Sequence, residues 1–172
     1  MSLYNTKLQD LEKKERPREL LDKAILCLRQ GQNAQGFLLL SSIAEKEKDN
    51  PAAAFALALC YIRSEETSKA IPHLEQALRL TRSLSITQPN TAENTDTYIR
   101  LYQAQLKNQF YLDPIDTDFC TLFPKEAERT ILLALIHAYR KMSLEEKVRQ
   151  LSAGLSGKIF EEYKKCLDGE NR

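Results

Sequence analysis

The chain has 172 residues, 42% of them hydrophobic and 28% charged, with 25 Lys and Arg against 24 Asp and Glu. That length and apolar content suit one folded domain that buries roughly 70% of its extended-chain surface, which excludes disorder for most of the chain. The near balance of charge, with no long basic block, counts against a nucleic-acid binder, and the longest apolar run, Ala52 to Ile62, is well short of the ~18 residues of a membrane span.

Glycine is scarce at 5 and proline at 6. Apolar residues recur three and four apart over long stretches, and no convincing strand alternation competes with them, so the fold class is all-α. Residues 2–16 are predicted as a first helix, with Tyr4, Leu8 and Leu11 on one stripe as an N-terminal cap. The same stretch lacks the basic, greasy and small-residue regions of a secretory leader, so cytoplasmic residence is expected. Pro17 then opens a helix, since proline fits the first turn, and residues 17–30 and 34–48 form a hairpin turning at Gly31.

Asn50 before Pro51 is a start signal, a side-chain cap followed by proline at the first helical position. The second hairpin spans 51–63 and 67–81, and Pro72 inside it must cost a backbone hydrogen bond. Past Arg82 the regularity lapses: residues 83–90 read as a loop rich in Ser, Thr, Gln and Pro. Residues 91–111 read as a helix with Tyr98, Leu101, Tyr102, Leu106 and Phe110 on one face. A second loop over 113–123 is expected to pack down through Ile115, Phe119 and Leu122. Pro124 begins another helix with acidic residues in its first turn. Ser143 and Glu146 then have capping-box spacing, and Val148, Leu151, Leu155, Ile159, Tyr163 and Leu167 continue as one terminal helix bent near Gly154 and Gly157.

A 34-residue echo links the two hairpins. Ala24, Cys27, Gly36, Leu40 and Ile43 recur as Ala58, Tyr61, Ala70, Leu74 and Ala77, placing small residues where helices must touch and larger apolar ones a turn away. The second unit, with Leu57, Ala58, Tyr61, Ala70, Leu74 and Ala77 at the matching places, resembles a tetratricopeptide repeat; the first, with Lys23 and Gly36 at two of those places, resembles it less closely. The resemblance implies a right-handed α-α superhelix of helix-turn-helix repeats forming a single domain. Residues 17–50 and 51–82 are the two repeats, 1–16 an N-terminal capping helix, 90–111 a divergent helix, and 124–168 a degenerate repeat or C-terminal cap. Leu135, Tyr139, Val148 and Leu155 can be laid on the pattern, but at a spacing of 78 from the second repeat, where two periods would give 68.

The resemblance also implies a concave face built from the first helix of each hairpin. Its candidate peptide-binding residues are Arg18, Leu21, Asp22, Ile25 and Arg29 in the first unit, then Ala52, Phe55, Ala56, Leu59, Ile62 and Arg63 in the second. Such a groove, apolar with Arg at its margin, suits an apolar segment flanked by acidic residues. The same apolar side chains read equally well as core, covered by the helix at 91–111 or the terminal helix. The positions at which some tetratricopeptide domains clamp a C-terminal carboxylate hold Leu21, Ile25 and Ala56 here, so that specificity is not expected.

Chemistry motifs are thin. His73 and His137 lie in no metal-binding spacing and read as helix-packing residues. Asp113, Asp116 and Asp118 lack the glycine and distal Glu of a calcium loop and read as a solvated acidic loop. Cys27, Cys60, Cys120 and Cys166 form no Cys-x-x-Cys pair and read as free structural thiols. No phosphate loop, nucleophile elbow or nucleotide fingerprint is present. The expected function is therefore a non-enzymatic adaptor, scaffold or chaperone that binds another protein and takes no cofactor or metal. The alternatives are a small secretion-type chaperone and a self-association module, a homodimer included, whose groove is filled by its own helices.

Overall fold

The computed structural model describes residues 16–87, 97, 110–153 and 161. Of the helix predicted over 2–16 only Arg16 is described, and it precedes α1; of that predicted over 91–111 only Thr97, which is helical, and Phe110 and Tyr111, which lie in a 3-10 turn, are described; beyond 153 only the helical Glu161 is, and Cys166 lies outside the described residues. The described residues are all-helical, with no strand among them. In chain order they form α1 (Pro17–Arg29), α2 (Asn33–Ile43), α3 (Pro51–Arg63), α4 (Thr67–Thr87), a 3-10 turn (Phe110–Leu112), α5 (Thr117–Leu122), α6 (Pro124–Lys141) and α7 (Glu145–Ala153).

α1 and α2 form the first hairpin and α3 and α4 the second, while α6 packs along α4 and α7 folds back on α6. The echo residues are the crossings. Ala24, Ala58, Ala70 and Ala77 are fully buried. Gly36 lies so close to α1 that a Cβ there would sit 2.7 Å from Leu28 Cδ2 and 3.2 Å from the Ala24 carbonyl oxygen. A small residue is therefore a steric requirement of the first hairpin.

The three hairpins of the described residues, α1–α2, α3–α4 and α6–α7, turn in one way. After α1, Gly31 takes φ +77° and Gln32 N–H donates to the Cys27 carbonyl at 2.8 Å. After α3, Glu65 takes φ +64° and Glu66 N–H donates to Tyr61 at 2.8 Å. After α6, Ser143 takes φ +57° and Leu144 N–H donates to Tyr139 at 2.9 Å. Each is a left-handed residue closing a six-to-one hydrogen bond on the last helical turn. Cys27 and Tyr61 are an echo pair, and Tyr139 accepts the corresponding bond at a spacing of 78 from Tyr61, so the third hairpin shares the turn without the period.

The start of α3 is as expected: the Asn50 side chain accepts from Ala52 N–H at 3.0 Å, with Pro51 in the first turn. Four expectations change. α2, expected over 34–48, ends at Ile43 and gives way to turns. α4 runs on to Thr87 through the residues read as a loop from 83. Ser83 turns its hydroxyl back to the Arg79 carbonyl at 3.1 Å, and Arg82 pairs with Glu128 of α6 at 2.8 Å; this contact with α6 is invisible to local composition. Ser143 does not cap α7, because it occupies the left-handed turn and the first helical bond there runs from Val148 N–H to the Leu144 carbonyl. The loop at 113–123 contains the short helix α5, capped by Asp116, whose carboxylate accepts from Phe119 N–H at 2.8 Å. Pro72 is accommodated as the sixth residue of α4 on an exposed face, where carbonyls left without a helical donor are open to water.

The three turns make a matched set of substitutions. A non-glycine residue in the left-handed region costs about 1–2 kcal/mol, so Glu65→Gly and Ser143→Gly are each expected to raise the urea midpoint, whereas Gly31→Ala lowers it by a similar amount. Midpoints that ignore all three changes would show that the turns are not formed as described.

Candidate functional site

The residues singled out on α1 and α3 lie along two neighbouring helices, and the stretch 110–123 crosses them as a strap, meeting Arg18, Arg29 and Arg63. Phe55, Leu59 and Ile62 are buried, Phe55 and Leu59 completely, in one core with Tyr111, Ile115, Phe119, Cys120 and Phe123 of the strap. Leu21 and Ile25 are buried with Leu20, Ala24, Leu28, Leu40 and Ala56 in the core of the first hairpin. Each such side chain contributes about 1.5–3 kcal/mol by leaving water, which is why the apolar face does not stand open. Among the described residues the strap covers this face, and Val148 and Leu151 of α7, the described start of the expected terminal helix, pack against the same core.

The polar members of the set hold the strap. Arg63 is the most enclosed of them. One of its nitrogens donates to the Leu28 carbonyl at 2.8 Å and to Asn33 Oδ1 at 2.9 Å, and the other to the Leu112 carbonyl at 3.1 Å, with Asp113 at 3.8 Å. It thus ties the end of α1, the start of α2 and the strap to the last turn of α3. Arg29 donates to the Pro114 carbonyl at 3.2 Å and to Asp116 at 3.3 Å. Arg18 pairs with Asp118 at the exposed end, where the Asp118 side chain is 73% accessible. An irregular backbone laid over helices needs donors for its carbonyls, and the arginines supply them together with partners for the carboxylates.

Asp113, Asp116 and Asp118 are therefore not simply a solvated loop: each faces one arginine of the band, although Asp118 keeps most of its contact with water. Sequence reasoning placed the arginines and noted the acids but did not join them, because the partners are 50 to 100 residues apart in the chain. Asn50 adds a neutral link, donating from Nδ2 to Thr117 Oγ1 at 3.1 Å. Asp22 is the dissonant member. Burial pushes its carboxyl above the ordinary value, Arg18 pulls it down, and the neighbouring charges of Asp116, Asp118 and Glu47 push it up again.

Groups able to do covalent chemistry are set against it. Burial pushes the Cys60 thiol up to about 11, and burial also pushes Cys120 up, so neither is poised as a thiolate. The Tyr139 phenol is raised by burial and by its 2.5 Å bond to Glu75, which in turn faces Lys147 of α7. His73 is stacked on Tyr61 at 5.5 Å and lowered by burial. His137 lies against Tyr111. Among the described residues no group of three His, Cys, Asp or Glu side chains could hold a metal ion, and none of their helices is long and apolar enough to cross a membrane. A cleft of about 270 Å³ between the hairpins is lined by Phe37, Cys60, Tyr61 and Arg63 among others, without convergent acid-base pairs.

No protein-family model, no curated protein and no solved structure matches this chain.

Two measurements probe the band. Leu59→Ala is expected to destabilise by about 2–5 kcal/mol and Arg63→Ala by about 1–3 through the buried carbonyls it strands. Arg18→Ala should cost no more than about 1, as exposed pairs do, and urea unfolding ranks them; an Arg18 effect equal to that of Leu59 would contradict this order. For Asp22, a folded-state pKa above the unfolded value means that the folded chain holds the proton more tightly, so the contribution is present at low pH and lost as pH rises through the two values. Asp22→Asn should therefore raise the melting temperature at pH 7 and leave it unchanged at pH 3, as followed by circular dichroism.

Proposed function

We propose that the chain is a tetratricopeptide-like interaction module, a non-enzymatic adaptor or chaperone of the cytoplasm that binds another protein through the face of α1 and α3. The single observation that carries this reading is the pairing of an apolar face with arginines that already hold a polypeptide segment by its carbonyls and carboxylates. Support for the family comes from the echo residues buried at helix crossings and from the common turn of three hairpins. A right-handed superhelix is the arrangement that such repeats imply. The thiols and phenol held in their neutral forms favour binding over catalysis.

A second reading has its own observation. The strap fills the face in cis, as in a self-association or structural module whose groove is closed by its own residues. In that case the partner, if any, docks elsewhere. The two separate in one experiment: affinity capture of the tagged full chain from its own cell extract, followed by mass spectrometry, with wild type and the Arg18→Glu, Arg29→Glu double variant in parallel. A stoichiometric protein captured by the wild type and lost from the variant is the expected result. Recovery of a small metabolite and no protein would count against an interaction module.

A further inference from the structure

Arg29 and Arg63 stand 34 positions apart, at the last residue of α1 and of α3, so they are the same position of two hairpins. Each also makes the same pair of contacts. Arg63 holds the Leu112 carbonyl and faces the Asp113 carboxylate, and Arg29 holds the Pro114 carbonyl and the Asp116 carboxylate. Arg18 continues the row to Asp118. The strap therefore runs from the second hairpin toward the first, against the order of the chain. Its frame places acids at the first, fourth and sixth residues of 113–119 and apolar side chains, Ile115 and Phe119, at the third and seventh.

We propose that this arginine row recognises a polypeptide segment by that frame, so that the strap is a resident ligand and the partner is a protein segment with the same acidic and apolar spacing, which displaces it. The inference rests on the interaction-module reading and specifies its ligand. Main-chain carbonyls are common to every segment, so each clamp reads the backbone plus one acid without needing the strap's own identity. The hold weakens along the strap. The Arg63 end is enclosed, the Arg18 end is open to water, Leu122 is 62% exposed, and α5 is only six residues long, too short to persist without its packing. Asp22, beside Asp116 and Asp118, opposes the acids at that same end. The polar hold is therefore weakest at α5, whose release must withdraw the buried Phe119 and Cys120, and the freed Phe55, Leu59 and Ile62 then require a new occupant.

The test uses the full chain and a fluorescent peptide spanning 111–123 with Cys120→Ser, read by anisotropy. In the Asp116→Lys, Asp118→Lys variant the strap is loosened while the arginines remain. It is expected to bind the peptide at least tenfold more tightly than wild type, and to lose that gain when Arg29→Glu is added. Hydrogen exchange of the 115–122 amides should accelerate at least tenfold with α3 unchanged. Where the lysine variant fails to fold, Asp116→Asn, Asp118→Asn serves instead, since asparagine can still cap α5. Exchange that accelerates only together with α3, or folded loosened variants that take up no peptide, overturn the proposal. A captured protein that is lost from the Arg18→Glu, Arg29→Glu variant yet is not displaced by an excess of the 111–123 peptide also overturns it, while leaving the interaction-module reading intact.

Discussion

The burial of Phe55, Leu59 and Ile62 is the constraint from which the rest of the described structure follows. Two stacked hairpins cannot cover the inner side of their own first helices, and leaving three large side chains in water would cost several kcal/mol of a total stability that is itself about 5–15. Tyr111, Ile115, Phe119 and Phe123 close that face. Closing it forces an irregular backbone over α1 and α3, and that backbone brings carbonyls and carboxylates with it. Arg63, Arg29 and Arg18 are where those groups end. The polar band is thus a consequence of the apolar one.

The hairpins themselves rest on two local devices. Small residues at crossings let the helices approach, most severely at Gly36, where any side chain would press on Leu28. A left-handed residue after each first helix reverses the chain and satisfies a terminal carbonyl. Glycine fills that position once, and Glu65 and Ser143 fill it at a conformational cost. The third hairpin has the same turn without the 34-residue spacing, so the turn geometry does not depend on that spacing. Between α4, α6 and α7, the group formed by Tyr139, Glu75 and Lys147 adds an ionic and aromatic tie, with Lys147 lying 4.9 Å above the Tyr139 ring.

Electrostatics distinguishes the two ends of the strap. Arg63 works in partial enclosure, where a charge-assisted bond to a carbonyl is worth more than in water. Arg18 works in solvent, where its pair adds little. Asp22 breaks an otherwise complementary pattern. Burial and the neighbouring Asp116, Asp118 and Glu47 push its carboxyl up while Arg18 pulls it down.

The sequence by itself determined the helical class, the Asn50 cap, the Gly31 turn and the limits of α1 and α3 to within a residue or so, because these depend on neighbours a few positions away: a proline, a glycine, a short polar cap, an apolar period. Helical periodicity also put Arg18, Leu21, Ile25 and Arg29 on one stripe of α1 and Phe55, Leu59, Ile62 and Arg63 on one stripe of α3, whereas their joining into one face was implied by the resemblance alone. Only the tertiary structure decided what lies on that face. Apolar burial has no direction and no address, so the pattern that makes Phe55 seek cover is equally satisfied by a helix, a partner or a strap. Ion pairs between Asp113, Asp116, Asp118 and their arginines span tens of residues and leave no periodic trace. α4 likewise continues past Arg82, which pairs with Glu128 of α6, through a run of Ser and Thr that local composition reads as a loop.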